Sequence, residues 1–205
     1  SFYPTKNLTT CEGGMLTCND NYTYKRSKAL SSHGIEKSTY DRNKDIISSK
    51  PNWYREASLN GFNFRMPNPL AALGRSQLSR LSYMVSKRQQ IAKRYDEVLM
   101  NKKNIFLPRY KSSKGKSSYQ MYVFRLNSIN NKVEIINILR NRGISASSHF
   151  DPPLHKQKAF KNFKPRKELK NTDIVSNSII SLPMSSSLSD KDVNYVLENI
   201  DEVFK

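Results

Sequence analysis

This 205-residue chain has only one tryptophan, two cysteines and about half as many acidic as basic residues. Its two cysteines, Cys11 and Cys18, have neither a CxxC spacing nor a neighbouring histidine, which argues against a zinc site and a disulfide framework. They are expected as small buried or half-buried residues, and no metal is expected. No apolar run approaches the roughly 20 residues of a membrane-spanning helix, and no stretch has the charged start and apolar centre of a signal peptide. A cytoplasmic chain without a membrane partner is the expectation. At 37% hydrophobic residues the composition is still globular, and the length suits one large domain or two small ones.

The shortage of acid leaves 35 Lys and Arg against 17 Asp and Glu, a net charge of +18. The densest run holds Lys156, Lys158, Lys161, Lys164, Arg166, Lys167 and Lys170 against Glu168 alone. A solvated lysine-rich surface is one reading; a patch for nucleotide phosphates or nucleic acid is the other. The run sits in no nucleic-acid motif, and only Phe160 and Phe163 could stack on bases, so no nucleic-acid partner is expected.

Read for local structure, residues 15–18 suit a short strand and residues 22–30 a basic helix ending near Ser31-Ser32-His33-Gly34. Residues 35–59 read as irregular, with Trp53 placed for packing or for stacking on a base or sugar. In residues 61–66 the aromatics Phe62 and Phe64 alternate with Asn63 and Arg65, which fits an extended segment that buries its rings and presents an amide and a guanidinium. Asn68-Pro69 opens a helix that the spacing of Leu70, Leu73, Leu81, Met84, Ile91, Tyr95 and Val98 carries to about residue 99. A basic linker (102–116), a strand (119–126), and a helix (131–142) with Val133, Ile136 and Leu139 on one face follow, Gly143 being the stop. Residues 144–150 and 176–182 read as strands. Ser189-x-x-Asp192 is a capping box before an amphipathic helix carrying Val193, Val196, Leu197, Ile200 and Phe204. Helix, strand, helix, strand, helix after residue 85 describes a small α/β domain.

Several side chains could carry chemistry. Lys6 sits in a polar turn, where a solvated cation is the ordinary reading. Asn63 and Arg65 together suit an anion, since both present hydrogen-bond donors. His33 is either a capping cation at a helix end or a substrate contact. His149 and His155, six apart, are not a helix-face metal pair; each is a hydrogen-bonded structural histidine or a substrate contact.

Three blocks in this order carry a resemblance: Ser1-Phe2-Tyr3-Pro4-Thr5-Lys6-Asn7 with Thr9-Thr10 and Glu12-Gly13-Gly14; Gly61-x-Asn63-x-Arg65 with Ala71-Ala72-Leu73-Gly74; and His149-Phe150-x-x-Pro153-Leu154-His155. Together they resemble the DegT/StrS-type sugar aminotransferases, pyridoxal 5'-phosphate (PLP) enzymes of fold type I. The resemblance implies an α/β fold of type I, with residues 1–85 as the end of the large PLP-binding domain and 86–205 as the small C-terminal α/β domain. It implies that Lys6 is the catalytic Schiff-base lysine, that Ser1 donates to the cofactor phosphate, and that Asn63 reaches the cofactor phosphate of a neighbouring subunit, hence a homodimer with the active site at its interface. His33, Arg65, His149 and His155 fall on the substrate side. Relatives that dehydrate sugars carry histidine in place of this lysine, so Lys6 points to transamination. An amino group, commonly from glutamate, would pass to a keto group of a nucleotide-linked sugar. Gln120 departs from the pattern, many relatives having histidine there.

In full-length relatives a preceding region supplies the glycine-rich phosphate loop, the stacking aromatic and the aspartate at the pyridine nitrogen. A C-terminal fragment inactive by itself is therefore the alternative, and a basic nucleic-acid-binding or regulatory module a weaker one.

Overall fold

Asp20 starts the first regular element. Its carboxylate accepts from the Thr23 amide at 2.7 Å, satisfying a donor with no intrahelical partner, and α1 follows over Asn21–Leu30. The computed structural model describes residues 1–44, 50, 51, 53–108, 115–127, 131–163, 165 and 167–205. They form two compact units, Ser1–Ser79 and Arg80–Lys205.

In the first unit, residues 1–14 close on themselves: Phe2 N donates to Gly13 O at 2.9 Å and Thr10 N to Phe2 O at 3.0 Å. Residues 15–18 are not the expected strand, because no described segment pairs with them and a strand needs a ladder. The stretch read as irregular contains a helix, α2, Thr39–Lys44. Ser38 and Asp41 cap it reciprocally, each backbone amide donating to the other's side chain at 3.1 Å, and the Ser38 hydrogen bonds hold the Asp41 carboxyl below the usual carboxylate range. The long helix expected from residue 68 is two helices, α3 at Asn68–Ser79 and α4 at Leu81–Leu99. Ser79 Oγ donates back to Ser76 O at 2.8 Å, a local bond that competes with helix continuation, and Arg80 follows at φ −102°, ψ −2°.

In the second unit, β1 (Ile105–Phe106), β2 (Tyr122–Leu126) and β3 (Ile179–Leu182) form an antiparallel sheet in the order β1-β2-β3, with Phe124 opposite Ile180 and Tyr122 opposite Leu182. Tyr122, Phe124 and Leu126 turn one face of β2 inward, where they join Ile91, Ala92, Tyr95 and Leu99 of α4. α5 (Lys132–Asn141) gives Leu139 to this core, and α7 (Asp190–Val203) gives Val193, Val196 and Ile200. The capping box expected at Ser189 and Asp192 is present. Buried hydroxyls are satisfied: Tyr95 Oη donates to Pro183 O at 3.0 Å and Tyr122 Oη to Asp96 Oδ1 at 2.5 Å.

Four sequence expectations change here. β1 lies inside the supposed linker, two residues being too short a run to read. Residues 144–150 make only one bridge, Ser147 to Ser181, so they flank the sheet without joining it as a strand. The strand expected from residue 176 begins at Ile179, after a helix α6 (Lys170–Ser178) whose polar sequence gave weak apolar periodicity. On α5, Val133 is 64% exposed while its neighbour Lys132 is buried, so the apolar face is rotated from the one predicted.

That rotation is testable. Leu139→Ala should lower the unfolding free energy of this unit by about 2–5 kcal/mol, whereas Val133→Ala should change it by less than about 0.5 kcal/mol, measured by urea denaturation.

Candidate functional site

Residues 61–65 lie along the chain as it leaves α1. Phe62 N donates to Leu30 O at 2.7 Å, His33 N to Phe62 O at 2.8 Å and Phe64 N to Ser31 O at 2.9 Å, with Ser32 and Asn63 as bridge partners. Two glycines permit this approach. A Cβ on Gly34, which has φ +74°, would overlap the Leu59 carbonyl, and one on Gly61 would overlap the Gly34 amide nitrogen. His33 itself stands at φ +59°, a conformation that costs a non-glycine residue and is held by these backbone bonds.

Three of the candidate side chains thereby meet. Arg65 Nε donates to Asn63 Oδ1 at 3.1 Å, and Arg65 Nη2 lies 3.2 Å from His33 Nε2. A guanidinium can only donate, so His33 Nε2 accepts and the neutral ring carries its proton on Nδ1. His33 therefore serves Arg65 rather than capping α1 as a cation. The burial of the rings expected in residues 61–66 does not occur: Asn63 and Arg65 are exposed, and so are both phenylalanines. Phe62 and Phe64 stack at 4.9 Å with 3° between planes and are 58% and 72% exposed.

Beside this trio lies a cavity of about 220 Å³ whose wall includes Lys28, His33, Lys37, Arg42, Arg55 and Arg65, with Glu36 as the one carboxylate among the described residues that line it. Glu36 is engaged by Ser58 Oγ at 2.9 Å. So many cations around so small a volume favour an anion with several oxygens.

Lys6 is half-buried at the end of a turn, its amide donating to Tyr3 O at 2.9 Å, and Ser1 Oγ accepts from Tyr3 N at 3.4 Å. The loop rests on Thr10, which is fully buried and donates through Oγ1 to Glu12 O at 2.7 Å. Gly13, at φ +144°, sits where a Cβ would come within 2.6 Å of Met66 Cε and 2.8 Å of Thr10 Oγ1; a Cβ on Gly74 of α3 would lie 2.8 Å from Thr10 Cγ2. In α3 Gly74 serves close packing while Ala71 and Ala72 are exposed, and Met66 ties the Lys6 loop to the segment bearing Asn63 and Arg65. Cys11 in the same loop is exposed, not buried, because φ +66° turns it outward from the closed backbone.

His149 and His155 belong to the second unit. His149 Nδ1 is 3.0 Å from Ser181 Oγ and 3.3 Å from Ser147 Oγ, and its ring borders an apolar cavity of about 450 Å³ with Phe150, Leu154, Val175 and Ile179. His155 Nε2 is 3.0 Å from Asp173 Oδ1. Lys156, first, and then His155 hold the Asp173 carboxyl below the usual range. Among the described residues no group of His, Cys, Asp and Glu could hold a metal ion.

The whole arrangement has counterparts. The model of the DegT/DnrJ/EryC1/StrS aminotransferase family matches residues 1–201. The chain belongs to that family. It is 33% identical to the spore coat polysaccharide biosynthesis protein SpsC of Bacillus subtilis, over 100% of this chain and 53% of SpsC. Helicobacter pylori PseC, an aminotransferase involved in the biosynthesis of pseudoaminic acid, superposes with a TM-score of 0.84 at 28% identity, over 100% of this chain and 52% of PseC. Streptococcus pneumoniae Spr1654 in its PLP-form gives a TM-score of 0.79 at 27% identity, over 99% of this chain and 50% of that one. The chain thus spans about half the length of the relatives it matches, and it has the mixed α/β fold of the C-terminal part of a fold type I enzyme.

Sequence reasoning missed the cavity cations. Lys28, Lys37, Arg42 and Arg55 follow no spacing rule, and tertiary contacts such as Ser58 Oγ to Glu36 at 2.9 Å and Ser58 N to Gly34 O at 3.0 Å bring their segments together. Among the described residues no helix is long and apolar enough to cross a membrane.

Gly61→Ala should separate the two segments. Its expected effect is a loss of about 3 kcal/mol or more of stability in residues 1–79, with faster amide exchange at His33 and Phe62, read by hydrogen-exchange mass spectrometry.

Proposed function

We propose that this chain carries the reactive lysine and the anion-binding wall of a PLP-dependent aminotransferase that moves an amino group, from glutamate, to a keto group of a nucleotide-linked sugar. The observation that carries the reading is the cation-lined cavity beside the His33, Asn63 and Arg65 trio, in the same unit as the Lys6 loop. The donor set suits the cofactor: an amine at Lys6, a hydroxyl at Ser1, and an amide at Asn63 for phosphate oxygens. Under this reading residues 1–85 are the end of the cofactor-binding domain and residues 86–205 the small domain. Two copies complete a site between them, Asn63 serving the partner's cofactor phosphate. The exposed Phe62–Phe64 stack suits a face that a second copy covers.

PLP, when bound, supplies an aldehyde that condenses with amines and a ring that accepts electron density from the reacting carbon. The chain's own residues do the rest. Lys6 would hold the cofactor through Nζ and, once an amino donor takes its place, would act as the base and then the acid of a 1,3-proton transfer, taking a proton from one carbon and returning it to the other within each half-reaction. The Arg65 guanidinium, held by Asn63 and His33, orients substrate oxygens. His149 keeps Nε2 for the substrate, since Ser147 and Ser181 face Nδ1. His155, tied to Asp173, positions this loop.

Borohydride reduction of the chain mixed with PLP, followed by peptide mapping, tests the assignment. A single reduced adduct at Lys6, absent in Lys6→Ala, is expected; adducts scattered over many lysines, or none, would mean that this chain is an incomplete half without a cofactor site. Independently, Arg65→Ala should weaken binding of a nucleoside diphosphate by about tenfold or more, measured by calorimetry, with Lys103→Ala as an unaffected control.

A further inference from the structure

The segment after His155 passes through two 3₁₀ turns, Leu154–Lys156 and Lys158–Phe160. Its cations divide into two groups. Lys156 is 2.8 Å from Asp173 and Lys170 is 3.1 Å from Glu168. Lys158, Lys161 and Lys167 are exposed, with no carboxylate at ion-pair distance among the described residues. Phe160 and Phe163 stand between these lysines in the chain, and Leu154 precedes them. Phe163 is 72% and Leu154 65% exposed, and Phe160 and Phe163 meet edge to face with centroids 6.0 Å apart at 63°.

We propose that this loop is an attachment surface for anionic phospholipid. Phenylalanine interleaved with lysine in Lys158-Ala159-Phe160-Lys161-Asn162-Phe163 suits a bilayer interface, where rings enter the headgroup layer and flexible ammonium groups reach phosphates around them. Nucleic acid fits less well. The two rings are crossed and offer no parallel platform for successive bases. The expectation of no membrane partner rested on the lack of a spanning run, which does not bear on surface attachment. Nothing in this proposal depends on the catalytic reading.

Co-sedimentation of the chain with phosphatidylcholine vesicles, with and without phosphatidylglycerol, is the test. Binding is expected only to the anionic vesicles and should weaken as salt rises. Lys158→Glu/Lys161→Glu/Lys167→Glu should lower partitioning about a hundredfold or more, each lysine near the surface accounting for roughly fivefold. Phe163→Ser, which leaves the charge unchanged, should lower it about tenfold. Lys25→Glu/Arg26→Glu/Lys103→Glu changes the net charge equally and should stay within about threefold of the parent chain. Circular dichroism verifies that each variant is folded. Equal loss in the two triple variants, no effect of Phe163→Ser, binding to neutral vesicles, or tighter retention of single-stranded RNA than of vesicles would overturn the proposal.

Discussion

The contact between Gly34 and Gly61 is the constraint from which the first unit's chemistry follows. Backbone meets backbone with no space for a Cβ on either side, so the chain leaving α1 and the chain entering α3 can exchange three hydrogen bonds. Those bonds force His33 into a conformation it would otherwise avoid, and in that conformation its ring meets Arg65. An arginine alone in water would sample many rotamers. Held on two sides, it loses little freedom when an anion arrives, which is how pre-organisation becomes affinity. The cations lining the cavity bring several hydrogen-bond donors to one place, where an anion with several oxygens can meet more than one of them.

The second unit solves a different problem with buried charge. Lys132, 5% exposed, donates to Ser176 O at 2.9 Å and pairs with Asp151, so α5, the His149 loop and α6 share one ammonium. At the far end of the loop Asp173 takes both His155 and Lys156. A buried ion pair gains little net stability over an apolar one, but losing one partner is costly, so the arrangement fixes the loop's position more than it stabilises the fold. The Ser147–Ser181 bridge then sets His149 against the sheet edge.

The sequence exposed these features unevenly, for physical reasons. The segments holding Lys6, Asn63, Arg65, His149 and His155 were recognisable because in each the spacing is itself the motif. So were α1, α5 and α7, whose caps and stops are local. Lys132 was not: a lysine beside a valine reads as the solvent-facing member of the pair, and only tertiary partners reverse that order. The exposure of Phe62 and Phe64 has a related origin, since alternation defines two faces without saying whether the chain itself will cover either. α6 escaped because Lys170, Asn171, Thr172 and Asp173 give its first turn no apolar face, and the break at Arg80 because a continuous apolar periodicity conceals a local serine back-bond.

The net charge of +18 acquires different meanings in different places. At Lys132, Lys156 and Lys102 it is spent in ion pairs that hold elements together. Around the 220 Å³ cavity the cations converge, so that a small anion feels several of them at once. On the Lys158 to Lys167 loop they diverge into solvent, where salt screens each charge and only an extended array of negative groups can meet them together. Convergent and divergent cations therefore select ligands of different size, a compact polyanion in one case and a surface in the other.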